Sequence, residues 1–388
     1  MTFPYLTRVL NVNGFGYLAF ATAIITYSMI FCQYGFDLTA TAKIAKIRNN
    51  KKYLNRYSSA IYLSKILLCL FSIITSSLFL WLKGDIQLTI LTLSMLSMPL
   101  GMLITPTWLF QGLELMKELT LFTVISRIST LPLLFIFVKD SDDIYLAGFF
   151  QSLPFLITSF FCIYYMVKNN VIKFEMVSYK YVRNVIGSGW DVFVTTISSS
   201  VYMSLFPIVL GFLHGPTSVG YFSVVQNIKN ICLSCFEPIY QVVFPRVNSL
   251  IKSSPDVAKE ILRRYFFISF IFLMLGIMFV VFFNEEIIKI IAGEQYLQVK
   301  QAMVMMMIAV FFSVINNFYG VQTLISSGYS YVLKNIVFSV SIICLLMIFP
   351  IVYYYDYLGS VLLLVFIEFI VFVLLRYYHY KLNLKLLF

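Results

Sequence analysis

Charge is what this sequence has least of. Lys, Arg, Asp and Glu together make up 12% of its 388 residues and hydrophobic residues 60%, whereas soluble domains carry about 25% charged residues. A water-soluble fold of this composition would have no surface. Histidine is almost missing: His214 is read in an outer loop and His379 in the C-terminal tail, and neither has the spacing of a metal site or an activated nucleophile. The six cysteines (Cys32, Cys69, Cys162, Cys232, Cys235 and Cys344) all lie in apolar segments, where a thiol behaves as a small hydrophobe. Cys232 and Cys235 form C-x-x-C, but in a mid-helix setting without the loop that a redox or zinc motif needs. Met1 to Leu10 shows no basic segment followed by an apolar one, so no signal peptide is expected. Nor is there a polar stretch long enough for a separate soluble domain. No catalytic residue, metal or cofactor is expected, and the chain is read as a non-enzyme.

What the sequence does have is long apolar runs. Windows at 17–36, 60–82, 88–110, 119–138, 144–167, 189–212, 217–244, 265–283, 301–323, 335–355 and 358–376 are each about the length that crosses a bilayer. The fold class is therefore all-α, a polytopic membrane bundle of about eleven helices. Pro99, Pro106, Pro132, Pro154, Pro207, Pro238 and Pro350 fall inside these windows, which membrane helices tolerate by kinking.

The net charge of +11 marks topology rather than a nucleic-acid partner. Lys43, Lys46, Arg48, Lys51, Lys52 and Arg56 occupy one loop. Lys117 follows, then Lys168, Lys173, Lys180 and Arg183, then Arg246, Lys252, Lys259, Arg263 and Arg264, then Lys334, and last Arg376, Lys381 and Lys385. The alternate connections hold Arg8, Lys83, Lys139, Lys289 and Lys300, with most of the acids. Because cytoplasmic loops retain Lys and Arg, the first set is cytoplasmic and the C-terminus is inside. The acidic run Asp140, Asp142, Asp143 then lies outside, where a cytoplasmic nucleotide sugar would not reach it.

The chain also repeats itself. Phe3-Pro4 and Gly16-Tyr17 are echoed by Phe206-Pro207 and Gly220-Tyr221. Thr22, Thr26, Gln33 and Asp37 match Gln226, Asn230, Glu237 and Gln241 at one constant offset. Two similar halves are the usual plan of transporters. The division is 1–185 for an N-terminal lobe and 186–388 for a C-terminal lobe of six helices. The helix before the second copy implies one before the first, so a twelve-helix design is expected with its first helix lying before Met1. The matched polar positions form a stripe on each helix, either packed on neighbouring helices or lining a wet central cavity.

Ionisable residues inside the windows are the binding and coupling candidates, because an ionised group at mid-depth costs at least about 2.5 kcal/mol on insertion scales. Arg127, with Thr120, Thr123 and Thr130 on about the same face, suits bidentate phosphate binding. Lys229 shares a face with Gln226 and Asn230, and these three with Thr26 and Gln33 complete the substrate-binding set. Lys65 lies near its helix start and is expected to snorkel to the interface. Glu368 is the deepest acid and a candidate for ion coupling, with Asp191 and Glu237 nearer helix ends.

The stretches Phe3-Pro4-Tyr5-Leu6-Thr7-Arg8-Val9-Leu10, Gly14-Phe15-Gly16, Tyr34-Gly35-Phe36-Asp37-Leu38 and Ala42-Lys43-Ile44-Ala45 resemble the start of bacterial O-antigen and capsular polysaccharide flippases. Pro106-Thr107-Trp108-Leu109-Phe110-Gln111-Gly112-Leu113-Glu114-Leu115-Met116 resembles that family's P-x-W-x-F-Q-G-x-E-x-M segment. Gly189-Trp190 and Val219-Gly220-Tyr221-Phe222-Ser223 extend the likeness into the second half. The resemblance implies two six-helix lobes around a central cavity, as in the multidrug, oligosaccharidyl-lipid and polysaccharide exporter superfamily. It also implies alternating-access transfer of an undecaprenyl-diphosphate-linked oligosaccharide, an O-antigen or capsule repeat unit, from the cytoplasmic to the outer leaflet of the bacterial inner membrane. The partners implied are that lipid-linked glycan, membrane lipid and the polysaccharide polymerase or assembly machinery. Competing readings are an ion-coupled drug or cation antiporter of the same superfamily, for which the deeper charges are too basic, and a membrane polysaccharide polymerase, for which the outer loops are too short.

Overall fold

The computed structural model describes residues 2–251 and 253–384, with the side chains of 195, 198, 199 and 201–204 outside the description. Lys252 and Lys385, two of the basic residues that orient the chain, also lie outside the described residues. Among the described residues the regular structure is entirely helical.

Each apolar window falls on helix, but the helices run further and break more often than the windows. After the short α1 (Thr2–Val9), α2 (Asn11–Gln33) ends at Tyr34 and Gly35, both left-handed, before α3 (Phe36–Ile47) resumes. Gly35 has φ +76, and a Cβ there would sit 2.6 Å from Val192 Cγ1; no other residue fits that bend. Helix α4 (Lys51–Lys83) starts well before its apolar window because Lys, Asn and Arg extend a helix without adding hydropathy. The Asn50 side chain accepts from the Tyr53 N–H at 3.3 Å and fixes that start. The third window is three pieces, α5 (Ile86–Ser94), α6 (Ser97–Ile104) and α7 (Thr107–Gly112), the last break falling at Pro106. Helices α8 (Met116–Phe137) and α9 (Ile144–Lys168) follow, then α10 (Tyr179–Leu213).

The window 217–244 is not one helix. It is α11 (Pro216–Ser234) and α12 (Glu237–Leu250), parted at Cys235 and Phe236, because Pro238 has no N–H to give the Ser234 carbonyl. Cys235 therefore lies at an exposed helix break rather than mid-helix. Next come α13 (Pro255–Phe282), α14 (Asn284–Ile291) and α15 (Lys300–Asn317), which runs into a π-helical turn at Phe318–Ile325. Helix α16 (Ser330–Lys381) has 52 residues, about 78 Å at 1.5 Å per residue, far more than one crossing. Asp356, at φ 52 and ψ −139, breaks it into the two legs that the last two windows foresee. His379, assigned to a tail, is instead buried in the second leg, its ring edge-on to Tyr319. Among the described residues, eight helical stretches are long and apolar enough to span a membrane, α16 counted once, so the chain is a multi-pass membrane protein.

The chain divides into two compact units, Val9–Ile197 and Phe3–Arg8 with Ser198–Phe388. Both follow one order: a broken helix (α2–α3; α11–α12), a long helix (α4; α13), an interrupted one (α5–α7; α14, α15 and the π turn), then two more (α8 and α9; the legs of α16).

The N-terminal unit is built around Trp108, fully buried among Tyr34, Phe36, Tyr57 and Phe110. Tyr34 stacks on Phe193 at 4.4 Å. Helices α6 and α9 touch through small residues: Ser97 Oγ and Ser152 Oγ are 2.6 Å apart, and a Cβ on Gly101 would meet the Phe155 backbone at 2.5 Å. Without a hydrophobic drive between helices in lipid, such close backbone approach is the main source of packing energy. The C-terminal unit takes in α1, whose Arg8 guanidinium donates to the Ile290 carbonyl. Gln295 Nε2 donates to the Thr7 carbonyl at 2.6 Å.

Candidate functional site

The C-terminal unit brings two of the candidate residues together. Lys229 on α11 reaches Glu368 on the second leg of α16, with Nζ 3.6 Å from Oε1. Asn316 on α15 donates through Nδ2 to Glu368 Oε2 and to the Glu368 carbonyl, both at 2.9 Å. Lys229 is 6% exposed and Glu368 8%, so each charge is compensated chiefly by the other. Such a pair is costly to bury and costlier to break. The π-helical turn begins two residues after Asn316, and its Thr323 hydroxyl donates to the Phe318 carbonyl at 2.7 Å. Single π turns inside α-helices are frequent at functional sites. Asn316 Oδ1 and Gln322 Oε1 have no hydrogen-bond partner among the described residues.

Other candidates point elsewhere. Asn230 and Glu237 are exposed and Gln226 half-buried, so Lys229 turns inward, away from its expected companions. Asp191 is an exposed residue of α10, in the N-terminal unit.

In the N-terminal unit, Arg127 on α8 is exposed beside a 130 Å³ pocket lined also by Thr105, Thr107, Thr123 and Thr158. Its guanidinium makes no ion pair or hydrogen bond among the described residues. The Thr107 hydroxyl donates to Asp37 Oδ1, tying α7 to α3. A fork of cationic donors next to hydroxyls is the chemistry that holds a phosphate. Of the expected threonines, Thr123 shares the pocket, Thr130 is buried against its own helix and Thr120 faces outward. Thr26 donates to the Thr22 carbonyl at 2.7 Å.

Lys65 does not snorkel. It is 1% exposed and donates to the Met102 carbonyl at 2.7 Å. That carbonyl is free because its helical partner would be the N–H of residue 106, which is proline. Gln33 Nε2 approaches Met102 Sδ at 3.5 Å, so Gln33 and Lys65 both brace the wall of the Arg127 pocket.

Sequence reasoning missed a cavity of about 1120 Å³ in the C-terminal unit, where Lys259, Arg263 and Arg264 of α13 face Tyr319 and Phe372. Its only sequence signal was charge at helical spacing in a segment read purely as a topology anchor. Asp143 of the acidic run accepts the backbone N–H groups of Lys139 and Asp140 at 2.9 and 3.1 Å and so caps a turn. Among the described residues no three His, Cys, Asp or Glu side chains converge as a metal site.

A family described as polysaccharide biosynthesis protein matches residues 1–251. The chain is 33% identical over 379 residues to a protein named "Putative O-antigen transporter" from Escherichia coli (strain K12), covering 94% of this chain and 88% of the relative. Among solved structures, the lipid II flippase MurJ in an inward closed conformation superposes with a TM-score of 0.74 at 14% identity, over 97% of this chain and 85% of that one. A multidrug resistance MATE family transporter in an inward-facing conformation gives 0.69 at 11% identity, over 99% and 98%. At these identities the two structures speak to fold alone.

Proposed function

Because the chain belongs to the polysaccharide biosynthesis protein family, we propose that it is a transporter that flips an undecaprenyl-diphosphate-linked oligosaccharide, an O-antigen or capsule repeat unit, across the bacterial inner membrane. Export runs from the cytoplasmic to the outer leaflet by alternating access, with the C-terminus in the cytoplasm, and the chain carries no catalytic centre. The observation that carries the reading is the match along nearly the whole chain to a protein named as an O-antigen transporter.

The chemistry fits. A sugar headgroup is too polar for hydrocarbon, so the protein must offer it polar contacts while the lipid tail stays in the bilayer. Arg127, with the hydroxyls of Thr105 and Thr158, supplies donors for one phosphate, while the Thr107 and Thr123 hydroxyls donate instead to Asp37 and the Leu119 carbonyl. Lys229, Gln226, Asn230, Thr26 and Gln33 remain the further substrate contacts. Glu368 is the coupling residue, since a proton on it would leave Lys229 free to hold an anion; Asp191 and Glu237 are secondary. An inside-negative potential favours outward movement of an anion by about 2.3 kcal/mol per charge per 100 mV. A polymerase or assembly partner would receive the flipped glycan.

The test is surface polysaccharide in cells whose only copy of the transporter is Arg127→Ala, with membrane insertion checked by protein level. Export should fall at least about tenfold, the worth of one charge-assisted contact. Normal surface polysaccharide from an inserted variant would remove Arg127 from the site. A drug or cation antiporter is disfavoured because deep acids should then dominate, whereas Glu368 is already matched by Lys229.

A further inference from the structure

Helix α13 changes character along its axis. Asp256, Glu260, Arg263, Arg264 and Phe267 fall on one face at helical spacing, so charge gives way to aromatic surface within three turns. That face floors the cavity of about 1120 Å³. Across it stand Ile315, Tyr319 and Phe372. Arg376 Nη1 donates to the Tyr319 hydroxyl at 3.1 Å and holds that ring in the wall. Phe266 meets Phe318 edge-on at 5.3 Å, so the aromatic floor is anchored to the π turn.

A bilayer leaflet has the same gradient, phosphate and polyol at one depth and acyl chain at the next. The basic residues here belong to the set assigned to the cytoplasmic side, which puts the charged end at the headgroups of the inner leaflet. Lys259, Arg263 and Arg264 against Asp256 and Glu260 leave the lining one positive charge in excess. We propose that this cavity binds an anionic glycerophospholipid of the phosphatidylglycerol class, its phosphodiester on Lys259, Arg263 and Arg264, its glycerol hydroxyls donating to Asp256 and Glu260, and its acyl chains on Phe267 and Phe270. A single phosphodiester balances the excess charge. An ethanolamine headgroup would bring no net charge, and a prenyl diphosphate would bring too much and set it against two carboxylates. The cavity lies wholly within the C-terminal unit and does not depend on the transport reading.

The experiment places Phe267→Trp in the full chain, reconstitutes it in phosphatidylcholine vesicles, and titrates in phosphatidylglycerol with brominated acyl chains; the unsubstituted protein corrects for Trp81, Trp108 and Trp190. Half-quenching should need several-fold less brominated phosphatidylglycerol than brominated phosphatidylcholine. Adding Lys259→Gln and Arg264→Gln should raise that midpoint by about thirtyfold, the loss expected for two cations at a membrane surface. Equal quenching by the two lipids would overturn the proposal. So would displacement of the brominated lipid by an equimolar amount of undecaprenyl diphosphate, which would make the cavity a substrate-lipid site. If the triple variant does not fold, the preference of Phe267→Trp alone decides.

Discussion

Lys65 on α4 donates to the Met102 carbonyl, the one acceptor on α6 that Pro106 leaves without a helical partner. Four residues separate Met102 from Pro106, one helical hydrogen bond, and proline cannot supply it. Tyr62, three residues before Lys65, donates to the Ile104 carbonyl at 3.2 Å and packs edge-on to Trp108. One face of α4 thus closes the break made by the Pro106-Thr107-Trp108 segment, and the cost of burying an ammonium is offset by an acceptor that no backbone group claims.

This pairing predicts a coupling. Lys65→Met should lower the melting temperature in detergent, leaving Met102 unsatisfied at about 1–3 kcal/mol. In a Pro106→Ala background, where residue 106 regains its N–H, the same substitution should cost clearly less. Equal cost in both backgrounds would mean that the bond to Met102 contributes nothing.

Among the described residues, an apolar window falls on each helical stretch long and apolar enough to span a membrane, because lipid imposes one length and one composition on such helices, and Glu368 and Lys229 stood out because depth makes charge conspicuous. Their meeting was not legible: α11 and α16 are far apart in the chain, and nothing in Lys229 itself says that it turns from Asn230 toward Glu368. Lys65 was misread for a related reason. Position along a helix suggests snorkelling, while the acceptor that keeps it inside is created by a proline on another helix. The α13 cavity was hidden because its charged residues also satisfy the rule that sets topology.

Close helix approach at Gly101 gives a second prediction. Gly101→Ala should drive α6 off α9, since the new Cβ would meet the Phe155 carbonyl carbon at 2.5 Å. Overpacking of this kind costs about 1–3 kcal/mol. Gly84→Ala is the contrast: nothing lies within 4 Å there and φ is +68, so only the left-handed backbone penalty of about 1–2 kcal/mol applies. Both variants should melt earlier, but accelerated amide exchange in α9 should appear in the first alone. Unchanged α9 exchange in Gly101→Ala would show that the two helices part without loss.

Glu285 in α14 pairs with Lys300 at the start of α15. The hydrogen bond and charge of Lys300 hold the Glu285 carboxyl below its ordinary value of 4.5. Because the folded value is depressed, the pair's contribution is complete above about pH 4.5 and fades as pH falls through the folded value. Both side chains are solvent-exposed, so the effect is small and screened by salt. Glu285→Gln should flatten the acid-side loss of thermal stability slightly at low ionic strength and leave it unchanged in concentrated salt. A flattening that persists in salt would point to a different group.

The pair Lys229–Glu368 carries the sharpest prediction, because structure and transport part company there. Lys229→Met alone strands a buried carboxylate, and breaking one side of such a pair costs about 3–5 kcal/mol; low protein yield is expected. In Lys229→Met with Glu368→Gln, no charge remains, and the side-chain amide oxygen introduced at position 368 can still accept from Asn316 Nδ2, which lies 2.9 Å from Glu368 Oε2 in the native protein. The double variant should regain wild-type yield and melting temperature. Surface polysaccharide should nonetheless stay below about a tenth of the wild-type level, since both the anion-binding ammonium and the protonatable group are gone. Recovery of export together with stability would make the pair an internal brace and leave Arg127 as the sole deep charge with a claim on the substrate.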